Sequence, residues 1–378
     1  MTASAVPGAV RGPEVEREGA RALMLRAGAF LDGLVVPGAA VLVSVILFGG
    51  FVALAGANPV EVFEQMYRGA FGTWFSLQNS LQRAAPLMLT GLCTALPARL
   101  GLVVIGGEGA LYVGGVAAAA VASHLTGSDP YTVLAFMAIT SMIFGGLWIG
   151  TAGALRAKRG VNETISSLLL SYIGIAVCNH LIEGPLRDPQ SLNKPSTLHI
   201  GDQNMLGPLP GLDVHYGLLY GIVACLICWL LMDHSIFGFA ARIVGGNPRA
   251  ARLSGLRVPR LMILVCAIAG AAAGLAGMVE VAAVHGKANA SLAAGYGYTG
   301  ILVAFLARHS PLGILPVALV LGGISASGGL LQRTCDLPDA TVAVLQGILF
   351  VVMLASETYR GQVNWFSRLM VGSKGAVA

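Results

Sequence analysis

The sequence predicts an all-α integral membrane protein with about ten transmembrane helices. Two observations on composition support this class: 56% of the 378 residues are hydrophobic and only 11% are charged, whereas soluble domains carry about 25% charged residues. The third observation is a succession of apolar segments, most of them close to the roughly 20 residues that a helix needs to cross a bilayer. Lipid offers no partners to backbone polar groups, so these segments are expected to be helical.

The first half of the chain supplies five of the predicted helices, at residues 35–56, 84–100, 101–125, 131–155 and 162–181. Before them, residues 1–34 are polar and are expected to form a cytoplasmic tail, in which 17–32 are either a short interfacial helix or disordered. The aromatic residues between the first two helices suit the membrane–water interface. Several glycines and a glutamate in the third helix predict a break near residues 106–109, so this segment is broken or re-entrant.

The second half supplies five more helices, at residues 214–232, 261–284, 295–307, 311–327 and 340–357. Residues 183–213 contain five prolines and are expected to form an ordered extracytoplasmic loop. Small residues at 270–277 have the spacing that allows close helix approach. The segment 295–307 is short enough to be re-entrant or split. Residues 35–357 thus form the predicted transmembrane domain, and residues 358–378 a cytoplasmic tail.

Charge predicts the orientation of these helices. With both termini in the cytoplasm, 17 of the 23 lysines and arginines fall on the cytoplasmic side, as the positive-inside bias requires. The predicted cytoplasmic loop 234–260 contains no acid and five arginines, at positions 242, 249, 252, 257 and 260. The net charge of +5 therefore follows from topology, and nucleic acid is not an expected partner.

The sequence offers no set of residues that would form an enzyme's active site or a metal site. Its seven histidines fall mainly at predicted helix ends and in loops, without metal-ligand spacing. Cys225 and Cys228 form a C-x-x-C inside an apolar run, where small core residues are the simpler interpretation. No G-x-x-x-x-G-K-[ST] motif is present. The chain is therefore expected to hold no cofactor, and a partner would have to bind any ATP and Mg²⁺.

Four stretches carry a resemblance to a known family: IGGEGALYVGG at 105–115, GVNETISSLLLSYI at 160–173, the basic stretch 238–260 with GAAAGLAGMVEV at 270–281, and GYGYTGILVAFLARHSPLGI at 295–314. Over residues 91–357 the chain resembles the permease subunits of bacterial ATP-binding-cassette (ABC) importers, in the branch for nucleosides and simple sugars related to the ribose permeases. The family often has asparagine where Ser171 stands, and other residues in place of Gly107 and Ala110.

The resemblance implies an assembly in the bacterial inner membrane. Its partners would be a second permease (a copy or a paralogue), cytoplasmic ATP-binding subunits and an extracytoplasmic solute-binding protein, with lipid around the helices. A nucleoside or related small polar solute is the expected cargo, and a simple sugar is the alternative. A different class of function also stays open, namely an autonomous proton-coupled transporter that uses Glu108 or Glu280 as proton carrier.

The basic loop acquires a role through the same resemblance, because such loops seat the permease on its ATPase. Gly245–Gly246 predict a sharp turn, and Asn247–Pro248 predict the start of a short helix with proline at its first position. The alternative is that the arginines only mark the cytoplasmic side. The expected docking residues are Gly245, Asn247, Pro248, Arg249, Ala251, Arg252 and Ser254.

Acids in or beside the apolar segments are candidates for the solute path or its gate, because ionisable groups in lipid usually face a cavity or a partner. Glu108 either lines the path or ties the broken segment to backbone amides or an arginine. Glu163 either complements its helix dipole or forms a gate contact, and Glu280 either pairs with Lys287 or faces the interior. The candidate path residues are Glu108, Asn162, Glu163, Glu280, Tyr296 and Tyr298.

Overall fold

The computed structural model describes residues 38–125, 127–191 and 193–357, and the predicted tails 1–34 and 358–378 lie outside this range. The described residues form no strand, only two isolated β-bridges. Their helices are α1 Gly38–Leu54, α2 Pro59–Tyr67, α3 Trp74–Ala98, α4 Gly107–His124, α5 Pro130–Arg159, α6 Glu163–Glu183, α7 Gly217–Asp233, α8 Ile236–Gly246, α9 Pro248–Leu253, α10 Val258–Glu280, α11 Tyr296–Leu306, α12 Pro311–Thr334 and α13 Ala340–Glu357. The predicted all-α class is confirmed.

Length and hydropathy identify the helices able to cross a membrane. Four described helices qualify individually: α5, α6, α12, and α10 together with the π-helical turn that extends it to His285. The number rises to six if two bent pairs, α1 with the segment 59–72 and α7 with α8, each form one span. The chain is therefore a helical membrane protein, while ten crossings and cytoplasmic termini remain predictions.

Several helix boundaries differ from those predicted. α3 begins at Trp74 rather than at residue 84, because the Thr73 hydroxyl caps it by accepting from the Ser76 N–H at 3.0 Å. Pro86 and Pro97 both lie inside this helix. α12 runs to Thr334 instead of residue 327, and residues 214–216 precede α7 rather than belonging to it.

The predicted break in the third segment is confirmed, although it lies slightly earlier in the chain. Residues 102–105 are non-helical, and α4 begins only at Gly107. The exposed backbone groups find side-chain partners: the Ile105 N–H donates to Ser167 Oγ at 3.1 Å, and the Thr94 hydroxyl donates to the Val104 carbonyl at 3.1 Å. Such pairing makes non-helical backbone tolerable at membrane depth.

Helix α10 packs closely on α4 and α5 through its small residues. A Cβ added to Gly277 would lie against the Leu111 carbonyl of α4, and one on Gly274 against the Ser141 carbonyl of α5, both far inside van der Waals contact. The prediction that residues 270–277 permit close helix approach is therefore confirmed.

The chain divides into two units by its contacts. The larger unit, residues 52–346, contains α2 to α12 and all sites discussed below. Within it, the predicted loop 183–213 is held along the segment that follows α10. The N–H groups of Thr197 and Ile200 donate to the carbonyls of Ala288 and Gly286, both at 2.9 Å. The smaller unit contains residues 38–51 and the described residues from 347 onward.

Candidate functional site

The basic stretch 234–260 is mainly helical rather than a loop. It comprises α8, a direction change at Asn247, and the short helix α9. The Asn247 side chain accepts from the N–H groups of Arg249 at 3.0 Å and Ala250 at 3.1 Å, and Pro248 occupies the first helical position. Asparagine at the cap and proline after it both favour helix initiation, so the predicted short helix is confirmed.

The predicted turn at Gly245–Gly246 is wrong. Both glycines are the last residues of α8, and the chain changes direction at Asn247, where φ is −155° and ψ is 99°. Gly245 serves a different purpose: a Cβ at this position would collide with the Arg99 carbonyl at the end of α3. Its missing side chain permits close approach between α8 and α3, so it belongs to the attachment rather than to the exposed surface.

An ionic cluster fixes α8 to the ends of other helices. One carboxylate oxygen of Asp233, the last residue of α7, lies 3.2 Å from Arg99 Nη1 and 3.3 Å from Arg242 Nη1. Arg99 Nε also donates to the His309 carbonyl, which follows α11, at 3.1 Å. The ends of α3, α7 and α11 are thus joined to the middle of α8 at one place.

The outer face of α9 combines positive charge with an apolar side chain. Arg249, Arg252 and Ser254 are exposed, and Leu253 is 91% exposed, whereas Ala251 is fully buried against the protein. Ala251 is the one buried residue of α9 and anchors the helix, while its other five residues are exposed. Two arginines around an exposed leucine are complementary to a partner protein whose surface is acidic and contains an apolar depression.

A second polar site surrounds Glu108, where the N-terminal ends of two helices meet. Its Oε1 accepts from the Gly295 N–H at 2.8 Å, and its Oε2 accepts from the Gly297 N–H at 2.6 Å. α4 begins one residue before Glu108, and α11 begins at Tyr296. A carboxylate is stabilised at helix N-termini by free N–H groups and the helix dipole. This geometry favours the interpretation that Glu108 ties the broken segment to backbone amides.

Glu280 and Tyr296 belong to the same polar region. Glu280 is buried at the end of α10, interacts electrostatically with Arg83 and Glu108, and has a carboxylate oxygen 3.8 Å from His285 Nε2. No ion pair with Lys287 forms among the described residues, so that alternative is wrong and Glu280 faces the interior. The Tyr296 carbonyl accepts from the Thr90 hydroxyl at 3.0 Å.

Tyr298 lies in the first turn of α11, and its side chain interacts electrostatically with that of Tyr172 on α6. Both are exposed on the larger unit, at 39% and 59% respectively. The candidate residues Glu108, Glu280, Tyr296 and Tyr298 are therefore brought into one region by α4, α6, α10 and α11.

Asn162 and Glu163 form a separate structure at the start of α6. The Asn162 side chain accepts from the Thr164 N–H at 2.9 Å and caps the helix. Glu163 lies with Oε2 3.2 Å from Arg156 Nε, and its Oε1 accepts from the Val103 N–H at 3.4 Å. Capping thus falls to Asn162, while Glu163 links the end of α5 to the non-helical segment 102–105.

Several residues of these sites were not among the candidates that the sequence suggested. Asp233 immediately precedes the stretch that was found to lack acids, so a slightly wider window would have included it. Ser167 and Ser171 are spaced by one helical turn in α6 and bind the segment that begins α4; the Gly109 N–H donates to Ser171 Oγ at 3.3 Å. Nothing in the sequence other than their charge sets Arg99 and Arg83 apart from the other arginines.

Comparison with known proteins identifies the family. Residues 76–354 match the family described as branched-chain amino acid transport system / permease component. The chain is 32% identical over 324 residues to the glucose ABC transporter permease protein TsgB13 of Haloferax volcanii, covering 82% of this chain and 85% of that protein.

Two further relatives match over similar lengths. The guanosine ABC transporter permease protein NupP of Bacillus subtilis is 29% identical, with 87% of this chain and 95% of that protein covered. The nucleoside ABC transporter permease protein NupB of Lactococcus lactis subsp. cremoris is 27% identical, with 81% and 87% covered. Because the family match spans most of the sequence, the chain belongs to the family of branched-chain amino acid transport system permease components.

Proposed function

We propose that the chain is the membrane-spanning permease subunit of an ABC importer in a bacterial cytoplasmic membrane. The observation that carries this proposal is the outward face of α9, with Arg249, Arg252 and the 91% exposed Leu253. This face is attached through α8 to the ends of α3, α7 and α11. A partner that pushes or pulls on α9 would therefore move several helices together.

The partner that fits this surface is a cytoplasmic ATP-binding subunit, which would bind ATP and Mg²⁺ in place of this chain. Closure of two such subunits on ATP would displace α9, and the attached helices would switch between two packed arrangements. The path would lie between this chain and a second permease, either a copy or a paralogue, and a solute-binding protein would deliver the cargo. With the predicted ten crossings and both termini inside, α9 would lie on the required side.

The proposed solute is a nucleoside. Support comes from two of the relatives, whose names specify guanosine and nucleosides and whose sequences align with more than four fifths of this chain. A simple sugar is the second candidate, because the relative named for glucose shares 32% identity. Uptake of tritiated guanosine and of labelled glucose by cells with and without an intact copy of the gene distinguishes the two candidates.

Replacement of residues 247–252 with a Gly/Ser linker tests the docking role. The proposal predicts normal membrane insertion, loss of the ATP-binding subunit from the purified complex, and loss of uptake. Retention of both the ATP-binding subunit and uptake would show that α9 is not the docking element.

Reconstitution of this chain alone into liposomes tests the proton-coupled alternative. Solute uptake driven by an imposed pH gradient, without ATP or other subunits, would support an autonomous transporter. The proposal predicts no uptake until ATP and the partner subunits are supplied. Of the two carriers considered from the sequence, Glu108 and Glu280, Glu108 already has both carboxylate oxygens occupied by backbone N–H groups.

A further inference from the structure

Tyr172 and Tyr298 interrupt an otherwise apolar surface of the larger unit. Around Tyr172, the exposed face of α6 consists of aliphatic side chains, among them Leu169, Ile173 and Val177. On α11 the residues that follow Tyr298 are largely buried, and the tyrosine projects outward from the first turn. The two phenols interact electrostatically and form a polar and aromatic patch with no cover from the described part of the chain.

The position of Tyr172 along α6, a helix long and apolar enough to cross a membrane, argues against an interfacial anchoring role. Tyr172 is the tenth residue of α6, which runs from Glu163 to Glu183. At 1.5 Å per residue it lies about 14 Å from the start of the helix, close to the middle of a hydrocarbon layer about 30 Å thick. Tyrosines that anchor helices lie at the two interfaces. Polar groups at mid-depth face a water-filled cavity or other protein.

The two tyrosines are positioned by two adjacent residues at the start of α4. Glu108 binds the N–H groups of Gly295 and Gly297, which precede Tyr298. The next residue, Gly109, donates its N–H to Ser171 Oγ at 3.3 Å, directly before Tyr172. A Cβ on Gly109 would also collide with the Ser171 Cα, so the glycine allows α4 and α6 to touch. The patch is consequently held by buried contacts on both sides.

We propose that Tyr172 and Tyr298 form a contact site for the nucleobase of the solute inside the translocation path. The inference rests on the proposed function, which supplies the nucleoside. Any nucleobase can stack on a tyrosine ring, because every base has a flat aromatic face. Phenol hydroxyls can both donate hydrogen bonds to, and accept them from, base edges and sugar hydroxyls. An alternative occupant is the second permease, in which case the tyrosines would support assembly rather than solute passage.

The test uses cells that express the complete transporter, with this chain and its partner subunits, and tritiated guanosine as probe. One variant, Tyr172→Phe with Tyr298→Phe, removes the hydroxyls, and another, Tyr172→Leu with Tyr298→Leu, also removes the rings. We expect initial uptake at subsaturating guanosine to fall about 5-fold in the first and about 10-fold or more in the second. Tyr131→Leu is the matched control: this tyrosine is 83% exposed in the first turn of α5, and uptake should stay within about 2-fold of wild type.

Wild-type guanosine uptake by the Leu variant would overturn the inference. If the Leu variant fails to assemble with its partners, the wild-type complex is photolabelled with 8-azidoguanosine. Label on the peptides that contain Tyr172 or Tyr298 would support a solute contact, and label confined to other segments would overturn it. If wild-type cells take up glucose but no guanosine, the nucleoside function itself has failed, and this is known before any variant is made.

Discussion

The carboxylate of Asp233 lies 3.2 Å from the guanidinium of Arg99 and joins the end of α7 to the end of α3. The same oxygen is 3.3 Å from Arg242 of α8. About a quarter of the Asp233 and Arg99 side chains is exposed, so water only partly screens the pair. This shared carboxylate makes α8 and α9 an extension of two membrane helices rather than an independent loop.

We expect Asp233→Ala to reduce coupling more than stability. Loss of the ion pairs should lower the free energy of unfolding by about 1 kcal/mol, while solute uptake per ATP hydrolysed falls because α8 is no longer fixed to α7. Thermal unfolding in detergent and coupled assays in proteoliposomes measure the two effects. Glu64→Ala is the control, since it removes a 2.7 Å pair with Arg68 whose side chains are more than half exposed. Equal loss of coupling in both variants would contradict this role of Asp233.

Gly277→Ala should be strongly destabilising. The new Cβ would overlap the Leu111 carbonyl of α4, and backbone cannot yield as a flexible side chain can. The helices must separate, at a cost of about 1–3 kcal/mol or more. Gly329→Ala in α12 is the control, because nothing lies within 4 Å of its new methyl group; helix propensity alone should then stabilise it by up to about 1 kcal/mol. Equal shifts of the thermal midpoint in Gly277→Ala and Gly329→Ala would contradict the close approach of α10 to α4.

The contrast between Gly277 and Gly245 shows what could be predicted from the sequence. The small-residue spacing around Gly277 predicts close helix packing, because a helix places residues one turn apart on one face. Two adjacent glycines at 245–246 equally suggest a turn, yet Gly245 is helical and lies against Arg99. In the sequence, a glycine required for a positive φ cannot be distinguished from one required for close helix approach. Only the position of the facing helix distinguishes them.

The candidate site was predicted in part for a similar reason. A glutamate between glycines indicates a helix break and a need for donors, and both are found at Glu108. The donors themselves, at Gly295 and Gly297, lie nearly 190 residues away in the chain. Tyr172 likewise gains significance only from its neighbour Tyr298 on another helix. Contacts of this kind arise from tertiary packing and have no local sequence signal.

Charge reversal on α9 should abolish docking of the ATP-binding subunit. Arg249→Glu with Arg252→Glu replaces two exposed cations by anions on the face that the proposed function assigns to an acidic partner, and like charges across an interface are strongly unfavourable. We expect at least a 10-fold loss of co-purified ATP-binding subunit with unchanged membrane insertion. Arg257→Glu with Arg260→Glu, outside α9 but on the same stretch, should lose less than about 2-fold. Equal losses would mean that Arg249 and Arg252 contribute no more to docking than the arginines outside α9.

Glu108→Gln should lower stability and uptake together, because the neutral amide weakens two charge-assisted hydrogen bonds and turns one donor toward a backbone N–H. Hydrogen bonds to charged groups contribute about 1.5–3 kcal/mol each, so a loss of about 2 kcal/mol or more in unfolding free energy is expected. Thermal unfolding and guanosine uptake at several pH values measure both effects. Glu61→Gln, at an exposed position in the first turn of α2, is the control and should change neither.

The same variant separates the structural interpretation of Glu108 from the proton-carrier alternative. If the Glu108 carboxylate holds the N-termini of α4 and α11 together, its replacement disturbs the packing around Gly297. A variant that loses uptake must then also lose stability. A proton carrier has no such requirement. If Glu108→Gln unfolds at the wild-type temperature while uptake loses its dependence on external pH, Glu108 carries protons. Its contacts with Gly295 and Gly297 are then not required for stability.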